Sequence, residues 1–497
     1  MPVASELSDG HALEDRLQQF RAVRRDLEAS VLPLATSVDG RRFSFQASLH
    51  DLELQVGGYV ALGEGRLGQV LALEMALREG TDLDLPPDDP SGFGLRTQVP
   101  IRHARGAGTV LDGDGAAFHD ALVRPASADE IRGWLERTRS RRAQLTVGEL
   151  ATAPGVDFAL DAGGFDRHTF LCGQSGSGKT YSLGVILERL LLETSLRIVI
   201  LDPNSDYVRL TEVRDGAEPE TAARYRRAAA GVEAPALRLR LADVEPAVQA
   251  ALLRLDPIDD REEHAELAAL LAAERPPTLE ALARSERPEA RRLVLRARNL
   301  GIDRFGVWAR GAPGSLLDSL THEGPRCAVV DLGSVPTREE QALVAASVLG
   351  ELWRHRERRE PVLVVIDEAH NVCPGLPDDP LVALATDHAV RIAAEGRKYG
   401  IYLLVSTQRP QKVHENVISQ CDNLVLMRLN STADAAFAQS VFSFVPAGLV
   451  DRATTFRLGE ALVAGKVSPE PALIRFGARI AEEGGADVPD TWARSSP

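Results

Sequence analysis

At 497 residues the chain is too long for one ordinary hydrophobic core, so two or three domains are expected. Acidic side chains outnumber basic ones by 72 to 57, a formal charge of -15, which excludes a protein coated in nucleic-acid-binding surface but leaves room for a basic channel. Its strongest apolar stretches, such as Val362 to Ile366, are far too short for a bilayer, so no transmembrane helix and no membrane association are expected.

The opening residues, with Ser5, Glu6, Asp9 and Glu14, lack the basic-then-apolar pattern of a secretory signal, and a cytoplasmic location is the expectation. Cys172, Cys327, Cys373 and Cys421 are widely spaced with no CxxC pair, which reads as four buried thiols. Of the 57 basic residues only Lys179, Lys398, Lys412 and Lys466 are lysines, so each invites a reason.

Residues from about 11 to 30 carry Leu13, Leu17, Phe20, Val23 and Leu27 at helical spacing, predicting an amphipathic helix within an N-terminal segment 1–32. Over 33–125 the character changes to short β-prone runs, Arg42 to Ala47, Tyr59 to Leu62 and Gly68 to Leu73. They are separated by glycine turn signals, which predicts a small β-barrel. Pro86 to Gly94, rich in Pro and Asp, reads as an exposed loop. Asp129 to Leu145 reads as a linker helix, within 126–150, bearing Arg132, Arg137, Arg139, Arg141 and Arg142. Such a run suits a solvated face or a phosphate contact.

From Val156 the pattern alternates strand, glycine-rich loop and helix, which predicts an α/β fold with a parallel sheet over 151–209 and 326–480. Residues 169–180 read TFLCGQSGSGKT, an apolar strand running into G-x-x-x-x-G-K-T, and a helix from Tyr181 to Leu192 follows. Gly173, Gly176 and Gly178 let the backbone curl so that its N–H groups face the phosphates of a nucleotide, ATP, at a helix N-terminus. The candidate nucleotide-binding set is Gly173, Gln174, Ser175, Gly176, Ser177, Gly178, Lys179, Thr180 and Tyr181. Lys179 is expected to neutralise the β- and γ-phosphates, and Thr180 to offer a hydroxyl to Mg2+.

Pro361 to His370, PVLVVIDEAH, reads as a strand buried on both faces that ends in two carboxylates. Because adjacent strand residues point oppositely, Asp367 is assigned to Mg2+ and Glu368 to the general base acting on water. A third strand, Ile401 to Ser406, ends in Thr407-Gln408-Arg409-Pro410, where Gln408 is a candidate to orient that water or sense the γ-phosphate. Arg397 is the first candidate for an arginine finger reaching a neighbouring subunit's ATP, and Arg428 the second; a plain salt bridge is the alternative for each.

GQSGSGKT, LDPNSDY at 201–207, VVDLGSVP at 329–336, VVIDEAH at 364–370 and EGRKYGIYLLVSTQRP at 395–410 together resemble HerA, of the FtsK/HerA group of P-loop motors, over roughly residues 35 to 475. The resemblance implies a RecA-like P-loop NTPase sheet preceded by a small barrel, with an inserted helical subdomain at 210–325 where Pro276-Pro277 and Pro313 are breaks. It further implies a hexameric ring that moves along duplex DNA without sequence preference by ATP hydrolysis. Such a ring is often docked to a partner nuclease such as NurA, in DNA end processing or defence. Two alternatives stand beside it: an ATP-gated scaffold for an effector, with slow regulatory hydrolysis, and an FtsK-like DNA pump. The tail at 481–497 is expected to be flexible, with no anchor visible in its residues.

Overall fold

The computed structural model describes residues 14, 17–18, 20–50, 52–85, 95–113, 115–272, 282–309, 314–321 and 323–484, the strand residues 79–85 and 95–100 by backbone alone. The chain separates into two compact units. The expected loop from Pro86 to Gly94, the prolines Pro276, Pro277 and Pro313, and the chain beyond Gly484 lie outside the described residues.

In the first unit six strands close an antiparallel barrel: β1 (Leu34–Ser37), β2 (Arg42–Ala47), β3 (Tyr59–Leu62), β4 (Arg66–Leu85), β5 (Leu95–Asp112) and β6 (Phe118–Pro125), in the order β1-β2-β5-β4-β3-β6. Closure removes the unpaired edges that an open sheet exposes. Strict alternation along β2 turns Phe43, Phe45 and Ala47 inward, where they pack with Val60, Leu62, Val70 and Val123. Glycine is required opposite them: a Cβ at Gly106 would stand 2.2 Å from the Phe45 ring and one at Gly108 2.4 Å from the Phe43 ring.

Residues 20–29 form helix α1. Its expected apolar face is only partly covered, with Leu17 44% exposed, and its most buried side chain is Glu28, paired with Arg24 and Arg102 at 3.1 Å each. Helix α2 (Ala128–Thr138) starts with a Ser127–Glu130 capping box and buries Ile131, Trp134 and Leu135. It is shorter than the expected Asp129–Leu145. Gln144–Leu150 is instead strand β7, which buries Leu145, Val147 and Leu150. Arg132 and Arg137 pair with Asp129 and Asp112, so this part of the basic run is neutralised locally.

The second unit is built on an eleven-stranded sheet, order β11-β12-β10-β13-β14-β9-β15-β16-β17-β7-β8. Its remaining strands are β8 (Ala153–Asp161), β9 (His168–Cys172), β10 (Arg197–Asp202), β11 (Val232–Glu233), β12 (Cys327–Asp331), β13 (Val362–Ile366), β14 (Ile401–Thr407), β15 (Cys421–Met427), β16 (Glu460–Ala464) and β17 (Ala472–Phe476). From β11 to β15 every pairing is parallel, while β16 and β17 run antiparallel. The central strands are buried throughout, β9 and β13 at all five positions, as unbroken apolar runs require when helices cover both faces. Helix α3 (Lys179–Glu193) follows β9, and helices α4 (Pro219–Ala228), α5 (Pro246–Leu252), α6 (Arg261–Leu271) and α7 (Pro288–Asn299) lie between β10 and β12. This insertion has its own small core of Ala250, Leu255, Leu267 and Leu293. Helices α8 (Arg338–Arg354) and α9 (Pro380–Glu395) complete the cover. All four cysteines are buried and free.

The described start of the expected tail, residues 481–484, is anchored together with the residues just before it. Buried Glu188 of α3 accepts hydrogen bonds from Arg479 Nε (2.9 Å), Ile480 N (2.7 Å) and Ala481 N (3.1 Å), and Gly484 N donates to Asp206 O at 2.9 Å. An acceptor in the middle of a helix gave no sign in the sequence that this strap would use it.

Candidate nucleotide site

In an open parallel sheet, ligands gather beyond the carboxyl ends of the strands. Here β9, β13 and β14 lie side by side and bring three predicted motifs to one edge. After β9 the backbone turns through Gly176 (φ +72°) and Gly178 (φ +90°) into the N-terminus of α3, conformations open to glycine at no steric cost. The loop is held from below: Gly173 N donates to Thr407 O, Gln174 N to Arg428 O and Ser177 N to Gln174 O. Ser175 and Gly176 are left exposed at its crest and Ser177 is buried. Thr180 is the second residue of α3, and the Tyr181 hydroxyl accepts from Arg479 N at 2.9 Å and from Arg214 at 3.3 Å.

Lys179 Nζ lies 2.7 Å from Asp367 Oδ1, 3.1 Å from Glu368 Oε1 and 3.2 Å from Ser406 Oγ. Both carboxylates therefore face the same lysine rather than opposite sides of the sheet. The reason is local: β13 stops at Ile366, and Glu368 takes φ +42°, a left-handed conformation that costs a non-glycine residue on the order of 1 kcal/mol or more. Its N–H donates to Asp367 Oδ1 at 2.9 Å, which helps to hold the turn. Gln408 Nε2 donates to Glu368 Oε1 at 2.7 Å, and His370 Nδ1 stands 3.3 Å from Glu368 Oε2 and 3.1 Å from Thr407 Oγ1.

The contacts that hold Asp367 from the β10 side were not assigned from the sequence. The buried Tyr207 hydroxyl donates to Asp367 Oδ2 at 3.3 Å. Tyr207 is itself placed by Asp202, at the end of β10, which accepts the N–H groups of Asn204, Asp206 and Tyr207. The available signal was LDPNSDY, an apolar strand ending in Asp beside a turn. Burial raises Asp202 to about 6, and burial followed by the charge of Asp367 raises Asp206 to about 6. Burial also pulls Lys179 down, yet Asp367 and Glu368 outweigh it and leave its pKa raised.

One lysine thus faces an excess of negative charge. Among the described residues no three His, Cys, Asp or Glu side chains are grouped so as to hold a metal by themselves. The hard oxygens of Thr180 and Asp367 beside an open phosphate loop do fit Mg2+ that takes its other ligands from phosphate and water.

The two arginine candidates separate. Arg428 follows β15, and its Nη2 donates to Gly176 O at 3.0 Å, so it belongs to its own chain's phosphate loop. Arg397 precedes β14 while Gln408 follows it, so about 23 Å of strand separates them at ~3.3 Å per residue. Arg397 is paired with Asp422 at 2.9 Å, and the fold does not bring it to its own phosphate loop.

Residues 145–286 match the family model of the helicase HerA central domain. The DNA double-strand break repair helicase HerA of Sulfolobus acidocaldarius is 28% identical over 177 residues, 34% of this chain and 35% of that protein. Its namesake from Sulfurisphaera tokodaii is 33% identical over 116 residues, 23% of each chain. The matches thus span about a quarter to a third of these relatives' lengths. Among solved structures, VirB4 of Thermoanaerobacter pseudethanolicus aligns over 68% of this chain and 97% of its own at 16% identity, with a TM-score of 0.45. No helix among the described residues is long and apolar enough to cross a membrane. The strand, glycine-rich loop and helix of a phosphate-binding loop thus lie within the segment that is similar to the HerA central domain.

Proposed function

We propose that the chain is an ATP-driven motor on duplex DNA. The observation that carries the reading is the convergence of Lys179, Asp367, Glu368 and Gln408 within hydrogen-bonding reach of one another beside a glycine loop. In this reading the loop's N–H groups hold the phosphates, and Lys179 leaves its carboxylates for the β- and γ-phosphate oxygens. Thr180 and Asp367 would hold Mg2+, which supplies charge neutralisation for the transferring phosphoryl group. Departure of Lys179 frees Glu368 to take a proton from water, held in line by Gln408, as a water-oxygen-to-γ-phosphorus bond forms and the β–γ bridge bond breaks. Arg397, remote from its own site, suits a trans role on a neighbouring protomer's ATP, consistent with a ring, by resemblance a hexamer.

The HerA relatives, named as break-repair helicases, support DNA as the track, and a partner nuclease of the NurA kind is the proposed recipient. With a net charge of -15, contact is confined to channel-facing basic groups and made to phosphates, hence independent of sequence and steeply salt-dependent. A gated scaffold with slow turnover draws support from Glu368, which Lys179 and Gln408 engage through hydrogen bonds to Oε1. Steady-state ATP hydrolysis with and without linear duplex separates the two. Several-fold stimulation, lost in Lys179→Ala and Glu368→Gln, supports the motor, and weak turnover indifferent to duplex supports the scaffold.

A further inference from the structure

We propose that Leu458 is the shelf against which the ribose and base of the bound nucleotide pack. This rests on the nucleotide-site reading and extends it to the end of the ligand that the phosphate loop does not touch.

The direction of the ligand follows from strand order. Asp367, Glu368 and Gln408 sit at the ends of β13 and β14, on one side of β9. The γ-phosphate points to that side, because the lysine, the metal ligands and the water-activating carboxylate are there. The nucleoside must then leave the loop on the other side, over the ends of β15 and the start of β16.

The tight loop 456–460 occupies that place. Gly459 N donates to Ser177 O in the phosphate loop at 3.2 Å, and Phe476 N donates to Gly459 O at 2.9 Å. Arg457 N donates to Glu460 Oε2 at 2.8 Å and Glu460 N to Arg457 O at 3.1 Å. Gly459 has φ +76°, which lets the turn close against the loop.

This anchored turn presents an apolar side chain to solvent. Leu458 is 65% exposed, and its Cδ1 lies 3.4 Å from the position a Cβ would take at Gly178. A lone exposed leucine is commonplace. One clamped by backbone hydrogen bonds to a phosphate loop, on the side where the nucleoside emerges, has an occupant of matching chemistry: the flat apolar face of a base and the carbon edge of its ribose. A leucine reads no base edge, so the shelf favours a nucleoside of any base over bare phosphate.

The test is calorimetric titration of the full chain with ATP and with inorganic tripolyphosphate, for wild type, Leu458→Ser, Leu458→Met and Lys179→Ala. Leu458→Ser, which removes the apolar contact without adding charge, is expected to weaken ATP about tenfold, the scale of one lost apolar contact, while tripolyphosphate stays within twofold. Leu458→Met is expected to keep both affinities, and Lys179→Ala to lose both. ATP affinity unchanged in Leu458→Ser overturns the shelf and leaves the phosphate site standing. An equal loss of both ligands also overturns it, since the change then acts through the phosphate loop. Binding of neither ligand by the wild type overturns the nucleotide-site reading itself.

Discussion

The two ends of β14 carry opposite physics. At its carboxyl end Lys179, Asp367 and Glu368 are 3%, 0% and 6% exposed and hydrogen-bonded to Ser406, Gln408 and Tyr207. At its amino end Arg397 pairs with Asp422, which also meets Arg167 at 3.5 Å, and the Arg397 and Asp422 side chains are 40% and 43% exposed. Charges taken out of water hold each other because leaving one unpaired costs several kcal/mol, whereas an exposed pair is worth at most about 1 kcal/mol. The first end is therefore built for its own chain. The second is cheap to break, as a group that must leave its partner to reach a neighbour's ligand has to be.

Arg397→Ala puts this contrast to its hardest test. DNA-stimulated hydrolysis is expected to fall about a thousandfold, the scale of a lost arginine finger, while thermal stability shifts by less than ~1 kcal/mol. Full turnover in that variant would return Arg397 to a plain surface ion pair and remove the trans role.

A smaller effect is expected at the buried end from pH. The folded-state value of Asp202, about 6, lies above its ordinary 3.8, so folding takes up a proton between them. Its protonated form stabilises the fold below about 3.8, and that contribution is lost as pH rises through 6, about 3 kcal/mol in all. Denaturant melts of Asp202→Asn should be flatter than wild type across pH 4 to 6. Parallel curves would mean that the hydrogen bonds from Asn204, Asp206 and Tyr207 hold Asp202 ionised throughout.

The smallest change sharpens the role of a positioning residue. Tyr207→Phe deletes the donor to Asp367 Oδ2 at a cost of about 1 kcal/mol in stability. It should raise the Mg2+ concentration needed for half-maximal hydrolysis severalfold, with metal-free nucleotide affinity unchanged. A stability loss without any change in Mg2+ dependence would make Tyr207 a packing residue only.

Much of the fold was legible because its signals are local. Val362–Ile366 reads as a doubly buried strand from five apolar residues, and the barrel strand Arg42–Ala47 from simple alternation. The helix expected through Leu145 ends at Thr138, since β7 is extended by its place in the sheet between β17, far along the chain, and β8.

Sequence alone determined the chemistry of the glycine loop, because spacing and residue type set what a curled backbone, one lysine and one hydroxyl can hold. Tertiary structure decided how the site is assembled. Lys179 and Asp367 meet across 188 residues and Tyr207 and Asp367 across 160, while Glu368 joins them only through a left-handed turn. The placing of Leu458 beside Gly178 is of the same kind. Contacts made across such separations depend on strand order and register, which no local pattern of residues encodes.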